Sequence, residues 1–276
     1  MITSAEKHSP GAAGLAPAFA AARARLGLIA LLFVLAGASW WWTVEEMRGM
    51  DDGPWTNLGT FGWFAGVWVV MMAAMMFPSL APTVALYSRM TKARSPASPL
   101  LFCAGYLIAW TTVGVLAFAV ATGIGRVSGD PLAWESAGRW VAGVTLIGAA
   151  AYELTPLKDV CLGKCRSPLG FLLGSWRSGR TGALQMGTRH GAWCIGCCWA
   201  LMASLFALGV MSVVWMAVVA GLIAFEKLIP FRRTGTYATA AILLVLGVLL
   251  LAAPDLIPAL TLPGSGSMSP MGSMSP

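Results

Sequence analysis

Three cysteines, Cys194, Cys197 and Cys198, open a charge-free hydrophobic stretch at positions i, i+3 and i+4. On a helix all three thiols would share one face. His190, four residues before Cys194, falls on the same stripe. A second pair, Cys161 and Cys165, lies upstream in a basic segment and would share a turn if residues 156–166 were helical, against which Gly163 weighs. The neighbours Lys158, Lys164 and Arg166 would favour the thiolate form there. Thiols grouped in this way beside a bilayer are suited to a soft metal ion, and the two clusters together offer four or more thiolates. Such donors fit Cu(I), and they also admit zinc or an iron–sulfur cluster on Cys161, Cys165, Cys194 and Cys197. Cysteine is equally a small buried hydrophobe, and the isolated Cys103 is read that way.

Sulfur recurs as thioether. Met71, Met72, Met75 and Met76 form two i, i+4 pairs. They resemble the M-x-x-x-M element lining the pore of eukaryotic high-affinity copper importers, a local likeness that implies no common fold. Met268, Met271 and Met274 recur at every third position between small residues. That pattern resembles the methionine-rich segments of periplasmic and extracellular copper-handling proteins. Thioethers prefer Cu(I) and do not form disulfides in an oxidising compartment. Pro78 and Pro82 follow the first methionine group and predict a kinked helix. Glu226 is expected to pair at the membrane interface with Lys227 or an arginine, and Glu153 is either an interfacial charge or a hard accessory group near the thiols.

These residues must be positioned by membrane helices. The chain has 276 residues, of which 58% are hydrophobic and 11% charged, with a mean hydropathy of +0.75. A soluble domain carries about 25% charged residues, so the expected fold is an all-α, polytopic transmembrane bundle. Apolar windows predict seven helices, at 26–44, 61–86, 100–122, 137–154, two within 191–225, and 236–253. A single straight helix over 191–225 would measure about 50 Å, so a hairpin turning near 209–212 fits a bilayer better.

The net charge of +7 is gathered in alternate loops and reads as topology, not as nucleic-acid binding. Arg89, Lys92 and Arg94 mark one basic loop, the long segment at about 155–190 a second, and Lys227, Arg232 and Arg233 a third. Glu45, Glu46, Asp51 and Asp52 make an intervening loop acidic. The N-terminus is therefore expected inside and the C-terminus outside. Residues 1–25 read as a flexible cytoplasmic tail without a cleavable signal, 26–258 as the transmembrane domain, and 259–276 as a disordered Met-rich extracytoplasmic tail. The Cys194 cluster then sits at the cytoplasmic end of its helix, where thiols stay reduced and favour ligation over disulfide formation.

Taken together, three strings resemble the bacterial predicted metal-binding integral membrane proteins, a domain of unknown function sometimes labelled copper chaperone. They are Met71-Met72-Ala-Ala-Met75-Met76-Phe-Pro78, Tyr152-Glu153-Leu-Thr155-Pro156-Leu-Lys158 with Cys161 and Cys165-Arg166-Ser-Pro168, and His190-Gly191 with Cys194-Ile-Gly196-Cys197-Cys198-Trp199. The likeness spans roughly residues 60–230. It implies metal binding within a multi-helix protein of the bacterial inner membrane, and brings no established reaction.

The expected function is soft-metal capture, transport or delivery, with Cu(I) as cargo. Its partners would be the lipid bilayer, the metal ion and a donor or acceptor protein. The alternative is a membrane thiol–disulfide oxidoreductase using Cys194 and Cys197 as a C-x-x-C pair. No G-x-x-x-x-G-K-[ST] element is present, which excludes an ATP-driven pump within these residues. His8 and His190 are the two histidines, too few for bis-histidine haem alongside the sulfur site.

Overall fold

A computed structural model describes residues 15–48, 60–91, 97–128, 139–208, 212–228 and 232–252. All the regular structure there is helical. In chain order the helices are α1 (Leu15–Met47), α2 (Phe61–Met90), α3 (Ala97–Ser128), α4 (Arg139–Glu153), α5 (Pro156–Arg166), α6 (Pro168–Ser175), α7 (Gly179–Leu208), α8 (Val213–Leu228) and α9 (Arg232–Ala252).

Four stretches are long and apolar enough to cross a membrane: Leu26–Met47, Phe61–Met90, Ala97–Gly123 and Arg233–Ala252. They coincide with four of the seven expected spans and mark the chain as a membrane protein. The packing has the same sense. Large apolar side chains such as Phe33, Trp41, Leu116, Val144 and Val245 face outward, whereas Glu153, Lys158, His190, Glu226 and the cysteines lie inside. Water would not tolerate the first group outside, and hydrocarbon tolerates the second only when it is enclosed.

α2 occupies the centre, with sixteen buried residues, and remains one continuous helix across Pro78 and Pro82. It packs on α1, α3 and α8, while α3 pairs with α7 and α4 with α9. Between lipid-bathed helices there is little hydrophobic driving force, so close approach depends on small residues. At the α3–α7 seam a Cβ on Gly187 would run into the Phe102 carbonyl, and one on Gly105 into the Leu184 carbonyl.

The segment at 155–190, expected as a basic loop, is mostly helix. The Thr155 hydroxyl accepts from the Lys158 amide at 3.3 Å, and Pro156 occupies the first turn, where its missing N–H is harmless. Asp159 near the start of α5, and Lys164 with Arg166 near its end, complement the helix dipole. These local signals outweigh Gly163. α4 and α5 form a pair bent by 69° at the Leu154–Thr155 break. Gly179, at φ 83°, turns the chain into α7, which begins about four turns before Cys194, so the cysteines lie midway along their helix and not at its end. α1 likewise starts at Leu15, upstream of the expected residue 26.

Candidate metal centre

α7 carries Cys194, Cys197 and Cys198 on its inner face, and α5 brings Cys165 to meet them. Gly196 eases this approach: a Cβ there would lie 2.6 Å from Cys161 Sγ, so a larger residue would make that side chain or α5 shift. The ligand atoms of Cys165, Cys194 and Cys197 all lie within 4.8 Å of one another. Cys197 Sγ is 3.6 Å from Cys165 Sγ and 3.3 Å from Cys198 Sγ, and Cys194 Sγ is 3.6 Å from Cys198 Sγ. Cys198 borders this trio without joining the mutually close set. Cys194 and Cys197 are 1% and 2% exposed, and all six cysteines are free.

Two polar groups converge on Cys194. The Tyr106 hydroxyl shares a hydrogen bond with its Sγ at 3.0 Å, and Lys227 Nζ donates to the same sulfur at 3.1 Å. Lys227 also donates to Ser79 Oγ of α2 at 3.3 Å. An ammonium is the natural partner of a negatively charged sulfur. The S–H groups of Cys197 and Cys198 turn back onto the Cys194 carbonyl, at 3.2 and 3.0 Å.

The other expected ligands divide. Cys161 is buried against Gly196 but stands outside the three-sulfur group. His190 lies one turn before Cys194 among the rings of Phe102, Tyr106 and Phe171, and its Nδ1 has no hydrogen-bond partner among the described residues. Met71, Met72, Met75 and Met76 are buried in α2, in the turns preceding Ser79. Met268, Met271 and Met274 lie outside the described residues.

Two expectations about charge are corrected. Glu226 does not pair with Lys227 at an interface: it is 3% exposed and bonded to Lys158 Nζ at 2.7 Å. Lys158 in turn is bonded to Glu153 and fully buried, so it serves two carboxylates instead of activating Cys161. Arg166 closes the group by donating to the Glu226 carbonyl at 3.0 Å. Neither the Tyr106 nor the Lys227 contact to sulfur was expected. Tyr106 carries no local signal, and Lys227 resembles any basic residue closing a membrane helix.

The family model PpoB2, described as copper chaperone, matches residues 65–250. The chain belongs to this copper-chaperone family. The matched region runs from early α2 almost to the end of α9, so the whole sulfur centre and the buried ion group lie within it. No curated protein and no solved structure matches the chain.

The donor set fits the cargo that the family description names. Three mutually close buried thiols, with Cys198 Sγ 3.3 Å from Cys197 Sγ and 3.6 Å from Cys194 Sγ, form a soft sulfur donor set that could hold a metal ion.

Proposed function

We propose that this chain captures Cu(I) within the membrane and passes it to an acceptor, using Cys165, Cys194 and Cys197 as the principal ligands. The observation that carries this reading is the meeting of α5 and α7 at three buried sulfur atoms within 4.8 Å of one another. Cys198 and His190 flank the site and are placed to take over a ligand position as the ion arrives or leaves. Cys161 backs α5 against α7. The thioethers of Met71, Met72, Met75 and Met76 supply a neutral soft lining in α2, and the Met268, Met271 and Met274 segment collects the ion outside.

The seven-span topology belongs to this proposal, with the N-terminus inside, the C-terminus outside and the thiols near the cytoplasmic face of the bacterial inner membrane. Support comes from the alternation of basic and acidic loops and from the basic residues Arg177, Arg180 and Arg189 ahead of the cysteines. Burial speaks against the oxidoreductase alternative. Thiol–disulfide exchange needs an accessible sulfur, and Cys194 and Cys197 are almost fully enclosed.

Metal analysis after anaerobic Cu(I) loading tests the proposal on the wild type, a C165S/C194S/C197S variant and a chain lacking residues 264–276. The wild type should retain copper against a moderate chelator, the truncated chain should retain nearly as much, and the triple variant should lose most of it. Equal copper in wild type and triple variant would end the thiol-site reading. In cells, the truncation should matter only at low external copper; no difference across a copper and chelator series removes the tail from the proposal.

A further inference from the structure

Cys194 and Cys197 are almost fully enclosed, so an ion reaches them only past a side chain that moves. A cavity of about 320 Å³ lies between α5 and α6, lined among others by Asp159, Lys164, Ser167 and Phe171. Asp159, Lys164 and Ser167 are exposed, which gives it a polar rim that water can wet. Phe171 is 2% exposed, and its ring meets the His190 imidazole edge-on with centroids 4.7 Å apart. One side chain therefore separates an open cavity from a buried imidazole. A second cavity, lined among others by Glu153, Arg233 and Tyr237, lies instead beside the buried ion group.

Behind Phe171 the distance to sulfur is short. His190 precedes Cys194 by one helical turn on α7. Tyr106 borders both: its ring centroid lies 6.1 Å from the imidazole, and its hydroxyl is 3.0 Å from Cys194 Sγ. His190 is buried, and its Nδ1 has no hydrogen-bond partner among the described residues. A polar atom left in that state calls for a reason, and donation to a metal is one that imidazole commonly serves.

We propose that the α5–α6 cavity is the port of the thiol centre, with Phe171 as its movable partition and His190 as the donor that holds Cu(I) in passage. The inference rests on the metal-binding reading above and adds the route. A bare ion in the apolar gap between rings would be costly, so the ion moves by ligand exchange. Each step forms one Cu–N or Cu–S bond as the bond to the previous donor breaks: carrier to imidazole, imidazole to Cys194 Sγ. Copper stays Cu(I) throughout, and any proton displaced from a thiol on coordination returns when the ion leaves. Phe171 offers no donor atom to the ion. It therefore sets how fast the centre fills and empties, and not how tightly it holds.

The experiment mixes the full chain in lipid nanodiscs anaerobically with Cu(I)–bicinchoninate, whose visible absorbance follows the chelator-bound ion. Both the rate of transfer and the final distribution of copper are read. Phe171→Ala should speed loading, and release to excess chelator, by about fivefold or more with the final distribution little changed. His190→Leu should slow both directions while the cysteines still retain copper, and wild-type rates in that variant overturn the relay. Phe64→Ala removes a ring from the packed group of Phe64, Trp68 and Phe118, and is the control that should keep wild-type rates. Equal acceleration in the two alanine variants would show general loosening and overturn the proposal, as would unchanged rates in Phe171→Ala. If Phe171→Ala does not yield monodisperse protein, Ser167→Trp carries the test, because it fills the cavity from an exposed position. Slower loading at unchanged final copper is then expected, and wild-type loading overturns the port. A wild type that takes up no Cu(I) at equilibrium overturns the metal-binding reading itself, independently of Phe171.

Discussion

Glu226 and Lys227 are neighbours on α8, turned about 100° apart by the helix, and they serve two different buried sites. Glu226 joins Glu153 and Lys158 in an ion group that ties α4, α5 and α8 together. Lys227 reaches the sulfur cluster of α5 and α7 and links Cys194 there to Ser79 of α2. The first site is built from hard charges, two carboxylates sharing the Lys158 ammonium, and it links three helices. The second is built from soft sulfur donors beside the Lys227 ammonium. Both are enclosed and both keep unused acceptor capacity, since Glu153 Oε1 and Glu226 Oε1 have no hydrogen-bond partner among the described residues. The difference lies in the kind of donor, hard carboxylate oxygen in one and soft sulfur in the other, and that kind, not enclosure, is what suits the second to a soft metal.

The contrast can be broken most forcefully at Lys158. Lys158→Met leaves two buried carboxylates without their cation, and loss of one partner from such a group costs about 3–5 kcal/mol. Unfolding in detergent should register that loss, while the fraction that remains folded should bind Cu(I) as the wild type does. Copper loss as deep as in the triple cysteine variant would show that the two sites are one unit.

A smaller effect is expected where the two regions touch. Gly196→Ala would place a methyl group against Cys161 Sγ and crowd the α5–α7 contact, an overpacking change costing about 1–3 kcal/mol if α5 yields in place of the Cys161 side chain. Because Cys165 rides on α5, Cu(I) affinity should fall with stability. Gly148→Ala, with open space at its Cβ position, is the control and should leave both unchanged. If Gly196→Ala binds copper normally, the α5–α7 approach does not set the ligand geometry.

The smallest effect belongs to Tyr106→Phe. It deletes the hydroxyl at 3.0 Å from Cys194 Sγ and leaves the ring packing in place. One hydrogen bond is worth about 0.5–1.5 kcal/mol, so Cu(I) affinity should change by about tenfold or less in a chelator competition assay. A larger change would move Tyr106 from supporting group to ligand.

Much of this was legible in the residues. The charge-free windows located the four spans, and the cysteine spacing placed three thiols on one face of α7. The hairpin turn expected near 209–212 lies mostly outside the described residues, between the end of α7 at Leu208 and the start of α8 at Val213. The conditional pairing of Cys161 with Cys165 on a helix is met by α5, whose start is written in Thr155, Pro156 and Asp159. Other assignments were not legible. Glu226 next to Lys227 looks like an ion pair in one dimension, but adjacent helical residues do not face each other. Cys161 and Cys165 are alike in sequence, yet α5 turns Cys165 toward Cys197 and Cys161 toward the gap over Gly196.

What the sequence determined by itself was therefore local or periodic: helices that suit a bilayer, a face of thiols, a capped short helix, and membership of a metal-handling family. The helices and their thiol face follow from hydrophobicity and from the 3.6-residue repeat, which any single helix expresses alone, and the short helix from its capping residues; the family membership follows from the likeness of particular residue strings. Tertiary structure alone decided which cysteine from α5 completes the trio, which lysine faces sulfur and which faces carboxylates, and that Tyr106 reaches Cys194 across 88 positions. Such choices depend on the rotation and depth at which helices pack. Those are set by where glycines permit contact between whole helices, a sum over many residues that no short motif records.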